Sequence, residues 1–321
     1  MSILAFVEIA EGAIKKTSQE AVGYAAEVAR MRNTTATAVV LGEIASAELE
    51  NLGRIGAAKV LQAADSRLNE GNIQAYANVL AQAVEKENAE VVVLAKSSLG
   101  DAVAARLAAK IKASLASNAV ELPDTSNGFI VKRSIYTGKA FAYTEMNSDK
   151  KIIAIKKNVY TPAETENKAS VEAFSPTLQE ADFNVKIKET VKATGDILLP
   201  EADIVVSGGR GLKGPENWGI IEELAGALGA ATACSKPVSD LDWRPHHEHV
   251  GQTGIKISPN LYIAVGISGA IQHLAGVNSS RVIVAINKDA DAPFFKAADY
   301  GIVGDAFDVV PRLTKAVKEL K

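Results

Sequence analysis

The sequence predicts an α/β protein with two domains, each a mainly parallel sheet flanked by helices. Short apolar runs of strand character alternate with stretches of helical periodicity through the first ninety-odd residues, and this alternation resumes at Ala202. The chain of 321 residues is long enough for two domains of ordinary size. We therefore expect an N-terminal α/β domain over residues 1–190 and a second, Rossmann-like domain over residues 191–321.

The elements of the first domain follow in order. Strands are predicted at residues 3–9, 37–41, 59–62 and 91–95, and helices at residues 18–32, 49–55, 73–86 and 101–112. Residues 129–146 alternate polar and apolar side chains around Thr137 and Gly138, which predicts an antiparallel hairpin, and residues 151–157 add a further strand. Residues 160–183 are polar and aperiodic, which favours a linker or a wrapping loop.

In the second domain, the pattern predicts strands at residues 203–206, around Cys234, at 261–267 and at 282–286. Pro215 suits the start of a helix that continues over residues 218–228. Residues 268–276 form a predicted short helix, with Ser268 as N-cap and Gly276 as terminator. The segment 297–320 ends in an amphipathic helix.

Composition and charge narrow the function classes. The net charge of −3 leaves no basic surface, which argues against nucleic acid as a main partner. A single cysteine, Cys234, precludes an intrachain disulfide and fits a reducing compartment. No apolar run of about 18 residues exists to span a membrane, and the N-terminus lacks the features of a signal or transit peptide. We expect a cytoplasmic protein.

The first domain does not carry the expected nucleotide signature. Its first turn, EIAEGAIKKTS, has one glycine, Gly12, where a dinucleotide-binding turn is rich in glycine. A structural or partner-binding sheet is therefore favoured over a nucleotide site.

Four loops of the second domain combine small residues with polar side chains after predicted strand ends. They are SGGRG (207–211), Cys234-Ser235, VGQTG (250–254) and SGAIQH (268–273). Ligands of parallel sheets bind outside the carboxyl ends of the strands, so loops converging there predict a binding edge. The glycines allow close backbone approach, Arg210 can pair with a phosphate, and the amides after Ser268 can bind one. Tight turns and an ordinary crossover helix remain the alternatives.

Other reactive residues predict little chemistry. His246, His247 and His249 lack zinc-type spacing, so solvated loop residues are favoured over a metal site. Cys234 has no evident base beside it, which favours buried packing over a nucleophile.

Taken together, the motifs resemble the electron transfer flavoprotein α subunit. The run LYIAVGISGAIQHLAG followed by VIVAIN carries the resemblance, and DADAPFFKAADYGIVGDAFDVVP, VGQTG and SGGRG extend it over essentially the whole chain. The resemblance implies a heterodimer with a β subunit, one FAD in the C-terminal domain and an AMP in the β subunit. It also implies an N-terminal domain without a nucleotide.

Position by position, the resemblance implies FAD contacts from Arg210, Ser235, Val250, Gly251, Gln252, Thr253, Ser268, Gly269, Ala270, Ile271, Gln272, His273, Asn287, Asp305 and Ala306. Thr253 would lie near flavin N5, and His273 would face the C2 carbonyl of the isoalloxazine ring. Ser268 and the following amides would hold the pyrophosphate, while Asn287 and Asp305 would serve the adenosine half.

One position departs from the family pattern. Lys236 stands where many members carry an arginine near the flavin. Lysine keeps the charge but loses the planar, bidentate guanidinium. We therefore expect Lys236, with Thr253 and His273, to tune the redox properties of the flavin.

The implied activity is electron carriage rather than catalysis on a substrate of its own. Electrons would come from flavin dehydrogenases, such as the acyl-CoA dehydrogenases of fatty acid oxidation, and pass to the membrane electron transfer flavoprotein–quinone oxidoreductase. Two alternatives stay open. One is an electron-bifurcating family member that uses NADH, and the other is a nucleotide-binding module without redox turnover.

Overall fold

The computed structural model describes residues 2–10, 12–138, 140–188, 199–200 and 202–320. The chain forms two compact units, Met1–Thr190 and Val191–Lys321. The domain boundary predicted at residue 190 lies outside the described residues, which resume at Leu199.

The first unit is a helix-covered sheet. In chain order it contains β1 (Ser2–Val7), β2 (Ile9–Ala10), β3 (Ala13–Ile14), α1 (Lys16–Met31), β4 (Thr35–Leu41), α2 (Ser46–Asn51), β5 (Ala57–Ala63), α3 (Ile73–Lys86), β6 (Val91–Ala95), α4 (Ser98–Ile111), β7 (Ser114–Ala119), β8 (Ile130–Ile135), β9 (Ala140–Glu145), β10 (Lys151–Ile155) and β11 (Ser170–Ala173). Nine strands form one sheet in the order β11-β5-β4-β1-β6-β10-β7-β8-β9.

This sheet is parallel from β11 to β7 and antiparallel through the hairpin β8–β9. The three central strands β1, β6 and β10 are buried at every residue. Such strands read as continuous apolar runs because helices cover both faces of the sheet. The predicted mainly parallel α/β fold is therefore confirmed.

Two strands of the nine-stranded sheet escaped the sequence prediction. β7 is polar and only partly buried (SLASNA), so no apolar run marks it. β11 lies within residues 160–183 and pairs with β5 at the far edge of the sheet. The rest of that segment packs along α3. There, Gln82 and Thr177 exchange two hydrogen bonds, and the Asn78 amide donates to Asp182. The segment is a wrapping loop that contributes a strand, not a linker.

The second unit contains β12 (Ile204–Gly208), α5 (Gly219–Leu228), β13 (Ala231–Cys234), α6 (Lys236–Asp240), β14 (Leu261–Val265), α7 (Ile271–Val277), β15 (Val282–Asn287), β16 (Tyr300–Val303) and α8 (Ala306–Glu319). Its five strands pair in the order β13-β12-β14-β15-β16, all in parallel. The carboxyl ends of all five strands consequently meet at one edge, which we call the carboxyl edge.

Alternation along β14 divides the core of the second unit between the two faces of the sheet. Tyr262 and Ala264 join the cluster that includes Phe294. Ile263 and Val265 join the cluster that includes Trp218. Successive side chains of a strand point to opposite faces, so both faces of β14 are covered. Among the described residues, no helix combines the length and apolar character needed to cross a membrane.

Candidate functional site

The loops at the carboxyl edge are joined to one another by backbone hydrogen bonds. Gly209 N–H donates to the Val265 carbonyl (2.9 Å), and Gly266 N–H donates to the Ile286 carbonyl (2.9 Å). On the other side, Ser235 N–H donates to the Gly208 carbonyl (3.1 Å). The structure thus brings three of the four predicted loops, those after β12, β13 and β14, together with the loop after β15 into one continuous surface.

Glycines in these loops serve mainly to pack loop against loop. A Cβ atom on Gly211 would lie 2.7 Å from the Cα of Gly266, and Gly266 itself has a positive φ of 63°. Gly211 N–H donates to the Gly266 carbonyl at 3.0 Å. A side chain at either position would separate β12 from β14 at this edge. The glycines do allow a close backbone approach, as predicted, but the group that approaches is the backbone of the neighbouring loop.

The predicted helix after β14 is shorter than the sequence suggested. It runs over Ile271–Val277, with Ala270 as N-cap and no side-chain cap. Ser268 lies in the preceding loop, where its carbonyl accepts from Phe294 N–H at 3.0 Å. The prediction of Ser268 as the N-cap and Gly276 as the terminator is therefore wrong. Ser268 is bound into the loop by a long-range contact that local sequence cannot reveal.

The loop before α7 presents backbone donors. Among the hydrogen bonds of the described residues, none is donated by the backbone N–H groups of Ser268, Gly269, Ala270, Ile271 or Gln272. The side chains of Ser268 and Gln272 are exposed, and Ile271 retains 66% of its exposure. Such consecutive donors at the carboxyl edge can bind phosphate oxygens.

Two cations lie on neighbouring loops of the same edge. Arg210 follows β12 and Lys236 follows β13, and both side chains are exposed. Neither makes an ion pair within the described residues. Ser235, by contrast, is buried at 6% exposure as the N-cap residue of α6.

The loop VGQTG does not follow a strand, contrary to the prediction. It is held by isolated bridges, Cys234 with His249 and Val250 with Ile255. Gln252 N–H donates to the Gln272 carbonyl at 2.7 Å, which joins the loop to the first turn of α7.

That contact leaves the polar side chains of the loop available. Thr253 is exposed, and its hydroxyl has no hydrogen bond within the described residues. The neighbouring Gln252 side chain is also exposed, whereas Val250 and Gly251 are buried beneath it. Gln252 and Thr253 are therefore the side chains of this loop that can reach a ligand.

His273 points into the interior. His273 is only 7% exposed, and its Nε2 lies 2.8 Å from the Tyr262 hydroxyl. Burial, with a smaller contribution from the nearby His249 imidazole, lowers the pKa of His273 to about 4. The imidazole is therefore neutral near pH 7, and any redox tuning by His273 comes from a neutral ring rather than from a cation.

Asn287 and Asp305 are occupied by the protein itself. The Asn287 amide donates to the Ile267 carbonyl (3.0 Å) and accepts from Asp289 N–H (3.1 Å). Asp305 caps α8 by accepting from Phe307 N–H at 2.9 Å. Ala306 is buried as the first residue of that helix. These groups order the loops after β15 and β16, and their predicted role toward adenosine stays a prediction.

Sequence comparison identifies the family. The chain is 38% identical to the electron transfer flavoprotein subunit alpha of Bacillus subtilis over 99% of this chain and 98% of that protein. It is 38% identical to the Mycobacterium tuberculosis protein of the same name over 99% of both. This chain belongs to the electron transfer flavoprotein α subunits.

The family models divide these α subunits in two. Residues 3–179 match the electron transfer flavoprotein domain, and residues 198–278 match the electron transfer flavoprotein FAD-binding domain. The second match includes Arg210, Thr253 and the loop before α7. It ends before Asn287 and Asp305, so the FAD-binding match does not reach the two residues that are occupied by intrachain bonds.

The carboxyl edge of this α subunit has the groups that FAD requires. FAD needs donors for its pyrophosphate, and groups of this kind are the amides of residues 268–272, which have no acceptor in the described structure, and the exposed Arg210. The isoalloxazine ring needs apolar contact and hydrogen-bonding side chains, which Ile271, Gln252 and Thr253 offer. The residues present therefore fit the cofactor.

One histidine differs from its prediction. His246 and His247 are exposed, but His249 is 3% exposed and its Nδ1 has no hydrogen-bond partner among the described residues. Gly254 lies against it, since a Cβ there would be 2.8 Å from Nδ1. The prediction of a solvated His249 is wrong because the VGQTG loop folds over the ring. Across the described residues, no group of three or more candidate ligands is arranged to hold a metal.

Cys234 is buried, as predicted. Burial, with a smaller contribution from the negative Glu248, raises the pKa of its thiol to about 12. A thiol kept protonated in this way is a packing residue and not a nucleophile.

Proposed function

We propose that this chain is the α subunit of a heterodimeric electron carrier that holds one FAD at the carboxyl edge of its second unit. The observation that supports the proposal best is the run of amides before α7 that have no acceptor within the described part of the chain, with Arg210 and Thr253 on adjoining loops. The FAD-binding family match over residues 198–278 supports the same edge.

In this proposal, Ser268 and the following amides bind the pyrophosphate, and Arg210 neutralises its charge. Thr253 donates or accepts a hydrogen bond at flavin N5, and Lys236 supplies a positive potential near the ring. FAD, when bound, accepts and donates one or two electrons. The protein contributes binding, orientation and electrostatics, so no general acid, base or nucleophile is required of it.

The partners of the carrier are part of the proposal. We infer a β subunit that carries an AMP, flavin dehydrogenases such as acyl-CoA dehydrogenases as donors, and a membrane quinone oxidoreductase as acceptor. A single cysteine with a buried thiol suits a reducing compartment, which supports a cytoplasmic location.

Cofactor binding is tested by producing the chain together with its β subunit and measuring the visible spectrum. We expect a yellow complex with one FAD per heterodimer. A colourless complex that does not bind added FAD contradicts the proposal. Arg210→Gln should weaken FAD binding by about tenfold, because a charge-assisted hydrogen bond is worth about 1.5 kcal/mol or more. Arg281→Gln is the matched control, since Arg281 is also exposed but lies at the opposite end of β15.

Electron transfer is tested by adding catalytic amounts of an acyl-CoA dehydrogenase and its substrate to the yellow complex. We expect the flavin absorbance to bleach and to recover when a quinone oxidoreductase is added. Bleaching by NADH alone would instead indicate the bifurcating type of family member. No bleaching with any donor would indicate a binding module without redox turnover.

A further inference from the structure

A tyrosine that the sequence marks only as a strand residue contacts the buried histidine of the site. Tyr262, in β14, is fully buried, and its hydroxyl lies 2.8 Å from Nε2 of His273. Phe294 packs against both rings, stacked on Tyr262 at a centroid distance of 6.2 Å and edge-on to His273 at 5.8 Å. The three rings hold each other in one arrangement, so neither polar ring can turn without disturbing the core.

The protonation of this pair follows from its surroundings. Burial raises the pKa of Tyr262, so the phenol keeps its proton, and burial lowers the pKa of His273, so the imidazole is neutral. A neutral imidazole has one N–H and one bare nitrogen, and the hydrogen bond at one nitrogen decides the state of the other. The question is therefore which nitrogen carries the proton.

The backbone of Val250 and the hydroxyl of Ser207 decide which nitrogen of His273 carries the proton. Nδ1 of His273 and Oγ of Ser207 are buried without a partner in hydrogen-bond geometry. The backbone of Val250 nonetheless favours the protonated imidazole, as a carbonyl acceptor near the ring does. Tyr262 already lies at Nε2, so this acceptor belongs to the Nδ1 side of the ring. The Ser207 side chain favours the ionised phenol, as a donor facing the Tyr262 oxygen does.

One arrangement gives all four groups compatible donor and acceptor roles. Ser207 O–H points to the Tyr262 oxygen, Tyr262 O–H donates to Nε2 of His273, and Nδ1–H points to the Val250 carbonyl. The reverse arrangement would leave a bare Nδ1 facing a carbonyl oxygen, which is repulsive in a buried place.

The same helix turn is attached to the site. The carbonyl of Gln272 accepts from Gln252 N–H at 2.7 Å. A Cβ on Gly276 would lie 2.5 Å from the nitrogen of Gly251, so α7 and the VGQTG loop are in direct contact. Fixing the His273 ring consequently fixes the loop that presents Gln252 and Thr253.

We propose that Tyr262 is a positioning residue of the flavin site. Its hydroxyl donates to Nε2 of His273, holds the ring as the neutral tautomer with the proton on Nδ1, and keeps the first turn of α7 against the VGQTG loop. The link to flavin rests on the proposed function. The tautomer and its dependence on Tyr262 do not.

The test uses the heterodimer labelled with ¹⁵N-histidine. In the unaltered protein we expect the His273 resonances to show a protonated Nδ1 and a bare Nε2, without titration between pH 6 and pH 8. His273→Gln assigns the signals by removing them. Tyr262→Phe removes only the hydroxyl, and we expect it to produce a mixture of the two tautomers. Tyr300→Phe is the matched control, because Tyr300 lies in the same unit and is 67% exposed.

The flavin readout is measured on the same proteins. We expect Tyr262→Phe to weaken FAD binding about tenfold, the loss of one buried hydrogen bond, and to shift the reduction potential in the same direction as His273→Gln. The double variant should add nothing to His273→Gln, because Tyr262 acts through His273.

Three results would overturn the proposal: a proton on Nε2 in the unaltered protein, a tautomer that Tyr262→Phe leaves unchanged, or independent, additive shifts in the double variant. The first needs no variant and remains decisive if Tyr262→Phe does not fold. A heterodimer that shows the expected tautomer but binds no FAD would support the pairing of Tyr262 with His273 and contradict the proposed function instead.

Discussion

Lowering the pH should destabilise the second unit through His273. The folded chain holds this imidazole neutral, with a pKa of about 4 against 6.5 for an ordinary histidine, because burial penalises its charged form. The unfolded chain binds a proton at pH 5 that the folded chain excludes, so stability is full above pH 6.5 and falls as the pH drops toward 4. Integrating the proton linkage, we expect His273 alone to cost about 2 kcal/mol between pH 7 and pH 5.

The assay is urea unfolding of the purified protein at pH 7, 6 and 5, followed by tryptophan fluorescence. Both tryptophans, Trp218 and Trp243, lie in the second unit, so their signal reports that unit. Carboxylates titrate in the same range, and comparison with His273→Gln removes their contribution. His247→Gln is the matched control, because His247 is exposed. If the free energy of unfolding of His273→Gln decreases between pH 7 and pH 5 as much as that of the unaltered protein, the reasoning is wrong.

Three further predictions test the packing of the edge. Gly276→Ala should destabilise the protein by about 1–3 kcal/mol and weaken FAD binding, because the new Cβ would lie 2.5 Å from Gly251. Gly226→Ala in α5 is the control, since its Cβ meets nothing within 4 Å, and it should stabilise by about 0.5–1 kcal/mol. Thermal unfolding of the two variants measures the difference. Asp305→Ala should cost about 1 kcal/mol as a lost cap of α8, and Asp305→Ser should restore it; FAD titration of both then shows whether the carboxylate also contacts adenosine. Cys234 should resist iodoacetamide at pH 8 and react only in urea, by mass spectrometry, because its buried thiol has a pKa of about 12.

Where burial is complete, sequence pattern predicted the fold well. The bounds of α3 and β6 agree with their predictions residue for residue, since α3 has a strong apolar stripe and β6 is apolar throughout. The strands that were missed lack such a signal. β7 and β11 are polar or half-buried, and β16 is exposed at all four residues. β11 and β16 are edge strands, which bury too little surface to leave an apolar period, whereas β7 lies between β10 and β8 and is only partly covered.

The site was predictable as a surface but not as a set of side-chain roles. Convergence of the loops follows from parallel strands alone, and small residues mark where the loops meet. What local sequence cannot show is which polar group another part of the chain takes. Asn287 is engaged by Ile267, and His273 by Tyr262, each through a contact between separate elements. The signal for Tyr262 was one hydroxyl in an otherwise apolar strand.

The two units carry related sheets but treat their carboxyl edges differently. In the first unit, β1 lies between β4, the next main strand along the chain, and β6, which the chain reaches later. The strand order reverses between β1 and β6, and doubly wound sheets bind ligands at such a switch point. Glu8 follows β1 there and is 3% exposed. Its carboxylate accepts from the hydroxyl of Ser97 at 2.5 Å and lies 3.5 Å from Nζ of Lys15.

Ser97 is also the N-cap of α4, since its Oγ accepts from Gly100 N–H at 2.7 Å. The carboxylate of Glu8 therefore lies at the start of a helix and beside a lysine, an environment that stabilises phosphate in nucleotide-binding sheets. The chain supplies its own anion at this edge, whereas the amides before α7 in the second unit have no acceptor among the residues that the structure describes. This difference gives a physical reason for placing the cofactor in the second unit: one edge is closed by Glu8, and the other leaves its donors for a ligand.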